Sequence, residues 1–419
     1  MDNRFIRSKM SCRLCRSRKL ETVLDLGYTA LANEYLSSDN CAQEVYPLRL
    51  KQCSSCEHVQ LAHVVSKEIL FDNYNYVSGT SPSFVRHFSE YAAETLEVIC
   101  FHGNDHSTES IAVLDIGSND GTLLFEYKKR GCNVYGVEPA ENLVKHCIEK
   151  GLRIEQSYFN KAVVNKFLAN DAQFDIITAN NVMAHINDLN TIFQGIKKLL
   201  SKDGIFVFEV SYLPSVIKNL LFDTIYHEHV DYHHIGPLLN YLKRFGLRIF
   251  DAREVSTHGG SIRIYVSQLE SVHKPTDSLR QLIVNEAVNT QSFTLLGTRL
   301  ERAKKLFQET LRELKEKEHG RLIAYGVPAK FTTFSYQFGL NKEQVAFAID
   351  DSPLKQGRLT PGKMLPIKSF VEARILSNDI VLISAWNFSK EITEKLRTLY
   401  AGTGLRVVVP LPELQVISL

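Results

Sequence analysis

The stretch IAVLDIGSNDGTLLFEYKKRG, residues 111–131, decides the fold of this chain. Its first seven residues form an apolar, β-branched run that predicts a buried parallel strand, and residues 122–131 have the spacing of a helix. Between them, Gly117 and Gly121 permit a tight turn and the close approach of a ligand to the backbone N–H groups of the helix. The segment therefore predicts a strand–loop–helix unit that binds a small molecule.

The same alternation extends outward from this unit. Strands are predicted at 133–139, 174–182 and 204–210, and helices at 83–99, 142–150 and 188–200. The segments 246–255 and 261–268 flank Ser256–Gly260 and predict an antiparallel hairpin that closes the sheet. Apolar strands that alternate with helices indicate an α/β protein with a doubly wound sheet.

The last third of the chain has a second α/β pattern, without a convincing sequence repeat of the first. A charged stretch at 276–318 predicts one long, solvated connecting helix. Strands of a second parallel sheet are predicted at 321–330, 344–351, 379–386 and 405–411. We therefore expect a C-terminal Rossmann-like α/β domain over 276–419, after a larger α/β domain over 78–275 and a small N-terminal domain over 1–77.

The N-terminal domain contains two CxxC pairs, Cys12/Cys15 and Cys53/Cys56, and a strand-like run at 46–53. Two such turns can bring four sulfurs onto one tetrahedral ion, so we expect a structural zinc site. A redox CxxC is the alternative, and iron in place of zinc stays open. The other cysteines are scattered singly, which does not favour a disulfide scaffold: Cys41, Cys100, Cys132 and Cys147.

Composition excludes several classes of protein. The 419 residues are 44% hydrophobic and 23% charged, unlike a largely disordered or collagen-like chain. With 49 basic and 47 acidic residues, the net charge of +2 does not imply a nucleic-acid partner. No apolar run reaches the ~18–20 residues of a membrane span, and residues 1–10 lack a signal-peptide core. We expect a cytoplasmic protein, monomeric or a small homo-oligomer, with neither nucleic acid nor membrane as partner.

An acidic residue, Glu138, ends the second strand in YGVEPA and can accept hydrogen bonds from ribose hydroxyls. The loop before it is not GxGxxG and has no phosphate-binding lysine, so a nucleoside with a small charged tail fits better than a dinucleotide. These features and the closing hairpin resemble the class I S-adenosylmethionine-dependent methyltransferases. The resemblance implies these cofactor-binding residues: Asp115, Gly117, Asn119, Gly121, Glu138 and Asn180. For Asn180 and its neighbour Asn181, capping of the next helix is an equal alternative.

A longer series of motifs narrows the resemblance. In chain order they are the two CxxC pairs, DIGSNDGTLL (115–124), GVEPA (136–140), NVMAHINDL (181–189), YHEHVDYH (226–233), HGGSIR (258–263), YGVPAK (325–330) and IDDSPLKQGRLTPG (349–362). This order resembles the three-domain sugar-nucleotide C-methyltransferases of deoxysugar biosynthesis over essentially the whole chain. It implies methylation, commonly at carbon-3, of a nucleoside-diphosphate 4-keto-6-deoxy sugar, here expected to be dTDP-linked. Phe331 departs from the family, whose loop continues with small residues.

Carbon methylation next to a ketone needs a base that forms an enolate and donors that stabilise it. By the family's pattern His229 is the base, with Tyr226 and Glu228 as sugar-positioning or proton-relay partners. In an extended segment Tyr226 and Glu228 would point away from His229, so His229 would face the sugar only if the backbone turns. The family also places His185 in the site, as an oxyanion donor or second acid/base. Tyr76 is a further catalytic candidate, and Tyr74 matches nearly as well.

Substrate contacts are expected from two further motifs. His258 and Arg263 suit a pyrophosphate or sugar, although the glycine pair between them could be only a hairpin turn. Lys330, in the first turn of a helix, could bind a diphosphate together with Gly326. A C-terminal domain that merely covers the cleft is an alternative. Two rival functions stay open: an O- or N-methyltransferase, and a zinc-ribbon nucleic-acid-binding protein.

Overall fold

The computed structural model describes residues 5–37, 43–66, 69–70, 79, 82–102 and 108–419. Its strands in chain order are β1 (Ile6–Ser8), β2 (Leu20–Thr29), β3 (Tyr46–Cys53), β4 (Val59–Leu61), β5 (His63–Val65), β6 (Ala112–Ile116), β7 (Asn133–Val137), β8 (Arg153–Glu155), β9 (Phe174–Asn180), β10 (Leu200–Ser211), β11 (Asp231–Tyr232), β12 (Leu247–Val255), β13 (Ser261–Gln268), β14 (Leu322–Tyr325), β15 (Val345–Ile349), β16 (Ile367–Lys368), β17 (Ile380–Ile383), β18 (Arg406–Val409) and β19 (Gln415–Ser418).

Its helices in chain order are α1 (Pro82–His102), α2 (Thr122–Lys129), α3 (Glu141–Glu149), α4 (Lys161–Leu168), α5 (Leu189–Leu199), α6 (Leu213–Lys218), α7 (Ile235–Lys243), α8 (Asp277–Asn285), α9 (Thr290–Glu318), α10 (Ala329–Gln337), α11 (Phe370–Ala373) and α12 (Ser389–Tyr400). Short 3-10 turns include Met183–His185 and Phe222–Thr224. Among the described helices, none combines the length and the apolar character that a membrane span requires.

The N-terminal domain is built from antiparallel strands. Strand β1 pairs with β5, while β2, β3 and β4 form a meander that β11 extends, in the order β11-β4-β3-β2. Buried and half-buried residues alternate along most of β3, as expected for a strand with one face on a core. The strand predicted at 46–53 is confirmed.

The central domain contains a seven-stranded sheet in the order β12-β13-β10-β9-β6-β7-β8. Strands β8, β7, β6, β9 and β10 run parallel, and β13 is antiparallel to both of its neighbours. Every strand and helix predicted between residues 111 and 268 is present, and the closing hairpin is confirmed. Because β6 is the middle one of the five parallel strands, its loop opens at the carboxyl edge where the strand order reverses, which is where α/β sheets bind ligands.

The connection between the two α/β domains differs from the prediction. The single solvated helix expected at 276–318 is instead two helices, α8 and α9. Asn289 caps α9 by accepting a hydrogen bond from the backbone N–H of Ser292 at 3.0 Å. The expectation of a solvated helix is also wrong, since α9 buries an apolar stripe: Phe293, Leu296, Leu300, Phe307 and Leu311.

The C-terminal domain has a six-stranded sheet in the order β16-β15-β14-β17-β18-β19, parallel except for β19. The parallel sheet predicted for this region is confirmed. Helix α10 carries Phe334 and Phe338 flat against Phe222 of the central domain, with ring centroids 6.4 and 5.6 Å away. The domain boundaries at residues 77 and 275 stay predictions.

Candidate active site

One segment, residues 222–232, contacts all three domains, and we call it the bridging segment. At its start, Thr333 on α10 donates a hydrogen bond to the carbonyl of Ile225 at 2.7 Å, and the Trp386 indole donates to Asp223 at 2.6 Å. At its end, β11 pairs with β4 of the N-terminal sheet. The two flanking domains thus hold the ends of a segment whose middle carries Tyr226, His227, Glu228 and His229.

A turn in the bridging segment brings Tyr226 and His229 together. The backbone N–H of His229 donates to the carbonyl of Tyr226 at 3.0 Å, so the extended geometry that would separate the two side chains does not occur. Nδ1 of His229 lies 2.7 Å from the carbonyl of Thr224, and Nε2 lies 3.0 Å from the Tyr226 hydroxyl. Because a carbonyl can only accept, Nδ1 carries the proton and Nε2 offers its lone pair to the phenol. Burial, with the charge of Lys330, lowers the pKa of His229 to about 4.

His185 lies beside this pair. It ends the 3-10 turn that follows β9, and its ring centroid is 4.9 Å from that of His229 at an interplanar angle of 81°. Burial, reinforced by His229, lowers the pKa of His185 well below its usual value. The lowered pKa favours the neutral ring, which carries one N–H donor and one acceptor nitrogen.

Glu228 points away from the histidines toward the N-terminal domain. Asn33 donates a hydrogen bond to its Oε1 at 2.7 Å, and the residue is only 3% exposed. Burial raises the pKa of Glu228 to about 7. The carboxyl group thus holds a transferable proton near neutral pH. Asn33 was not predicted from the sequence, where one asparagine in YTALANEYL gives no signal.

Lys330 of the C-terminal domain reaches the central domain. Its ammonium group lies 4.3 Å from the centre of the Trp386 ring and 3.4 Å from the carbonyl of His258, to which it donates. Burial lowers the pKa of Lys330, and Asp223 opposes that effect. The ring of His258 packs 5.1 Å from that of Phe84, and burial lowers the pKa of His258 to about 3.

Arg263 does not share this cleft-facing environment. Its guanidinium donates to Glu209 at 3.1 Å and to Glu94 at 2.7 Å and stacks 4.1 Å from the centre of the Tyr91 ring. Only 2% of the residue is exposed. Two carboxylates already neutralise the charge, so we assign Arg263 a structural role in the central sheet in place of the expected substrate contact. Tyr74 and Tyr76 lie outside the described residues.

The loop after β6 is folded tightly over the end of the sheet. Gly117 has φ 71°, and a Cβ there would lie 2.5 Å from Cγ2 of Val182, so only glycine fits. Glu138 accepts hydrogen bonds from the backbone N–H groups of Asn119 at 3.0 Å and Ala140 at 2.9 Å. Burial raises the pKa of Glu138. Gly121 ends the loop and packs against Cys147.

Two buried side chains at this edge support a ligand site. Thr178 donates to Asp115 at 2.6 Å, and burial raises the pKa of Asp115 to about 7. The side-chain nitrogen and oxygen of Asn180, at the carboxyl end of β9, are both buried without a partner among the described residues. Since buried polar groups are almost always satisfied, Asn180 fits a ligand with both a donor and an acceptor, such as the amino-acid portion of S-adenosylmethionine.

The four cysteines of the two CxxC turns converge. Cys12, Cys15, Cys53 and Cys56 offer sulfur atoms that all lie within 4.8 Å of one another. The sulfurs of Cys12 and Cys56 are 3.5 Å apart, and the Cys56 contact lowers the pKa of the Cys12 thiol. Four thiolates at tetrahedral spacing suit zinc, and a shell filled by protein suits a structural ion.

Comparison with known protein families covers most of the chain. Residues 12–71 match the family described as "Putative zinc binding domain", residues 84–252 match "Methyltransferase domain", and residues 256–412 match "C-methyltransferase C-terminal domain". The bridging segment therefore lies within the methyltransferase match, and Lys330 within the C-methyltransferase match.

Two curated proteins illustrate the similarity, one over the full chain and one over part of it. "C-methyltransferase NovU" from Streptomyces niveus is 29% identical over 421 residues, which cover 99% of this chain and 98% of that protein. "Ubiquinone biosynthesis O-methyltransferase" from Actinobacillus pleuropneumoniae serotype 7 (strain AP76) is 35% identical over 102 residues, covering 23% of this chain and 44% of that protein.

The magnesium protoporphyrin IX methyltransferase of Synechocystis PCC 6803, solved with bound SAM, superposes with a TM-score of 0.33 at 14% identity, covering 44% of this chain and 81% of that one. The full-length similarity to NovU and the three family matches in order carry the assignment. In chain order the matches are to a zinc-binding domain, a methyltransferase domain and a C-methyltransferase C-terminal domain, and together with the similarity to NovU they indicate an S-adenosylmethionine-dependent C-methyltransferase.

Proposed function

We propose that this enzyme methylates carbon-3 of a nucleoside-diphosphate 4-keto-6-deoxy sugar, by way of an enolate that His229 generates. The observation that carries the proposal is the Tyr226–His229 pair. Its imidazole has Nδ1 committed to the Thr224 carbonyl, so the basic Nε2 is held toward the phenol. Tyr226 and His229 both keep partial exposure, whereas the flanking Glu228 and Asp231 are buried. A substrate can therefore reach the pair.

The proposed reaction needs a base, and the environment of His229 suits one. Its low pKa keeps the imidazole unprotonated across the physiological range. An anionic substrate and a developing enolate next to the ring would raise that pKa as the reaction proceeds, because nearby negative charge favours the imidazolium. His229 takes the proton from carbon-3, directly or through Tyr226, and the C–H electron pair becomes the enolate. Carbon-3 would then form the new C–C bond with the methyl group as the methyl–sulfur bond of S-adenosylmethionine breaks, S-adenosylhomocysteine would be the leaving group, and the proton would leave His229 for solvent.

The neighbouring groups have separate roles in this proposal. His185, in ring contact with His229, donates a hydrogen bond toward the ketone oxygen or shuttles the proton. Lys330 supplies positive charge that stabilises the oxyanion and the diphosphate. Glu228, with a pKa of about 7, positions the sugar through its contact with Asn33. His258 lines the same cleft beside Lys330.

The methyl donor is proposed to lie along the edge formed by the β6 loop, Glu138 and Asn180. S-adenosylmethionine supplies an electrophilic methyl group there. Glu138 would accept from the ribose hydroxyls, Asp115 and Asn180 would hold the amino-acid portion, and the backbone from Gly117 through Asn119 to Gly121 would lie against the ligand. His185 follows Asn180 by five residues, which connects the donor edge to the Tyr226–His229 pair.

The architecture of the C-terminal domain supports a nucleotide-linked substrate, with dTDP as our choice. Its strand order reverses between β14 and β17, and ligands of such sheets bind at that point. Gly326 follows β14 there, Lys330 lies one turn beyond it, and Trp386 follows β17 and bonds the bridging segment. A diphosphate at this position would deliver the attached sugar to Tyr226 and His229.

The test is proton NMR in deuterated water with the enzyme and dTDP-4-keto-6-deoxyglucose, without a methyl donor. Carbon-3 and carbon-5 both neighbour the ketone, so selective loss of the carbon-3 proton signal reports the site of deprotonation. S-adenosylmethionine is then added, and mass spectrometry detects a product one methyl group heavier. The exposed His146→Ala variant is the matched control for His229→Ala, and dTDP-glucose, which has no ketone, is the control substrate.

Each outcome decides between candidate reactions. Exchange at carbon-3 that His229→Ala abolishes, followed by a methylated product, establishes the proposal. Exchange at carbon-5 instead of carbon-3 would show that carbon-5 is deprotonated and would make carbon-5 the methylated carbon. A product whose new methyl signal is that of an O–CH₃ or N–CH₃ group contradicts the proposal and makes the enzyme an O- or N-methyltransferase on this substrate. Neither exchange nor product with 4-keto-6-deoxy sugars of several nucleotides, the 3-amino-4-keto series included, rejects this substrate class.

A further inference from the structure

The end of the bridging segment is part of the zinc-binding domain's sheet. Asp231 pairs with Gln60 and Tyr232 with Val59, and the N–H of Leu61 donates to the carbonyl of Val230 at 3.0 Å. This places a strand of the methyltransferase region next to β4, which begins three residues after Cys56. The residue that precedes the shared strand by two positions is His229.

Both CxxC turns send a side chain to the same carboxylate. Arg13, between Cys12 and Cys15, has its Nε 3.4 Å from Oδ1 of Asp231. His58, two residues after Cys56, has its Nε2 2.7 Å from the same oxygen. The side chains of all three residues are at most 1% exposed. A buried carboxylate is thus held between two groups whose positions the two turns determine.

Arg13 also contacts the segment that carries His185. Its Nη1 donates to the carbonyl of Asn187 at 3.1 Å and to the side-chain oxygen of Asn187 at 2.7 Å. Asn187 follows His185 by two residues. In addition, the N–H of Val230 donates to the carbonyl of Ala184 at 2.8 Å, which ties the two histidine-bearing segments to each other. One guanidinium therefore contacts the segment of each histidine.

The chemistry of this cluster differs from that of an ordinary domain contact. Charged groups are costly to bury, and an apolar contact would hold two domains together equally well. A guanidinium that donates two hydrogen bonds to one residue and faces a carboxylate fixes direction as well as distance, which apolar packing does not. The arrangement is therefore suited to fixing how the CxxC turns are oriented relative to the segments that carry His185 and His229.

We propose that the two CxxC turns position His185 and His229 through Arg13, His58 and Asp231. Zinc bound by the four thiolates would fix the turns relative to each other. Arg13, His58 and Asp231 are positioning residues that do not touch substrate. The proposal relies on the proposed function for the reaction that the histidines serve, but the orientation of the two rings can be measured without any substrate.

The primary test uses the full-length, zinc-loaded protein with ¹³Cε1-labelled histidine and compares Arg13→Met with the exposed Arg18→Met. Signals are assigned with His185→Ala and His229→Ala. In Arg13→Met we expect the His185 and His229 signals to shift while that of the exposed His146 stays in place, with zinc still bound at one per chain. We expect Arg18→Met to match the wild type, and Arg13→Lys to restore the signals only in part, since one ammonium group cannot reach Asn187 and Asp231 from two nitrogens as the guanidinium does.

Metal removal gives a second, independent measurement. Chelation of zinc from the wild type should shift the same two signals, and chelation from Arg13→Met should add a smaller shift, because only the His58–Asp231 contact then connects the turns to the bridging segment. If Arg13→Met does not fold, the isosteric Asp231→Asn replaces it. The proposal would be overturned if the His185 and His229 signals do not shift in a folded, zinc-loaded variant. It would also be overturned if these signals in the wild type do not change when zinc is removed.

Kinetics then separate this proposal from the proposed function. We expect kcat of Arg13→Met to fall about tenfold while the KM for S-adenosylmethionine is unchanged, since the contacts described for Arg13 are to Asn187 and Asp231 and not to the β6 loop, Glu138 or Asn180. Shifted histidine signals in an enzyme that does not act on keto sugars would uphold the positioning role and reject the substrate. Unshifted histidine signals in an enzyme that methylates keto sugars would uphold the proposed function and reject the positioning role.

Discussion

The two Rossmann-like sheets of this chain share a plan and differ in which polar groups they leave unpaired. In each sheet the glycine that follows the first strand, β6 or β14, donates its backbone N–H to the carbonyl of the last residue of the adjacent strand. Gly117 donates to Val137 at 2.8 Å, and Gly326 donates to Ile349 at 2.7 Å. Both glycines have positive φ, 71° and 86°. In each, an acidic residue just beyond that adjacent strand accepts from a backbone N–H of the glycine loop, Glu138 from Asn119 and Asp350 from Val327.

The difference lies in what else these acidic residues contact. Asp350 also accepts from Lys355 at 3.2 Å and from the Ser352 N–H at 3.0 Å, so a cation of the same domain neutralises it. No cation pairs with Glu138 among the described residues, and nearby Asn180 is buried without a partner. The corresponding Ser384, after β17, is bonded to the carbonyls of Tyr325 and Gly326. Topology alone therefore does not make an S-adenosylmethionine site, because the loop must also leave buried polar groups for that ligand to satisfy.

The largest expected effect comes from the segment that lies between the two sheets. His229→Ala should lower both carbon–hydrogen exchange and methyl transfer about a thousandfold, as removal of a general base does. Binding of S-adenosylmethionine, measured by calorimetry, should stay unchanged because the donor edge belongs to the central sheet. A loss of less than tenfold would contradict the assignment of His229 as the base.

The second effect is on stability and concerns Glu228. Its pKa is raised from 4.5 to about 7, so the folded state binds its proton more tightly than the unfolded state. The stability this gives is complete below pH 4.5 and is lost as the pH rises toward 7. The unfolding free energy of Glu228→Gln, relative to that of the wild type, should therefore increase by about 3 kcal/mol between pH 5 and pH 8. Urea unfolding at both pH values measures this, and the exposed Glu413→Gln should show no such trend.

A matched pair of substitutions tests the comparison of the sheets directly. Glu138→Gln removes the charge that would accept from ribose, so the Kd for S-adenosylmethionine should rise about thirtyfold, as for one lost charge-assisted hydrogen bond or two. Asp350→Asn should leave that Kd unchanged and instead lower stability, because Lys355 loses its partner. Equal effects of the two variants on S-adenosylmethionine binding would show that the sheets are not specialised as described.

The smallest effect is expected from the cation that the C-terminal sheet contributes. Lys330→Met should raise the KM for the nucleotide sugar about tenfold through the loss of one charge-assisted contact to the diphosphate. It should also raise the pKa of His229, since Lys330 contributes to lowering it. The pH profile of kcat/KM reports that shift. Lys395→Met, in the same domain but half-exposed, is the control. If both variants raise the KM equally, Lys330 has no specific role in binding the diphosphate.

Much of the fold followed from local patterns. The apolar runs of β6, β7, β9 and β10 and the CxxC spacing are properties of short stretches, so the sequence predicted both α/β sheets and the metal-binding turns. The resemblance carried by the ordered motifs implied the chemistry, and the family matches bear out the methyltransferase. The break between α8 and α9 was missed because it depends on Glu286, which accepts hydrogen bonds from Ile235 and Gly236 of a distant helix.

The sequence by itself determined that this chain has two α/β sheets and a four-cysteine cluster, because periodicity and spacing encode local structure. The resemblance carried by its motifs implied the methyltransferase loop. Only the tertiary structure decided how the active site is assembled. It turned the backbone at Tyr226 so that the phenol meets His229, neutralised Arg263 with two carboxylates, and placed Arg13 of the N-terminal domain and Lys330 of the C-terminal domain beside the bridging segment. These are contacts between residues far apart in sequence, and their positions depend on packing between domains that no single stretch records.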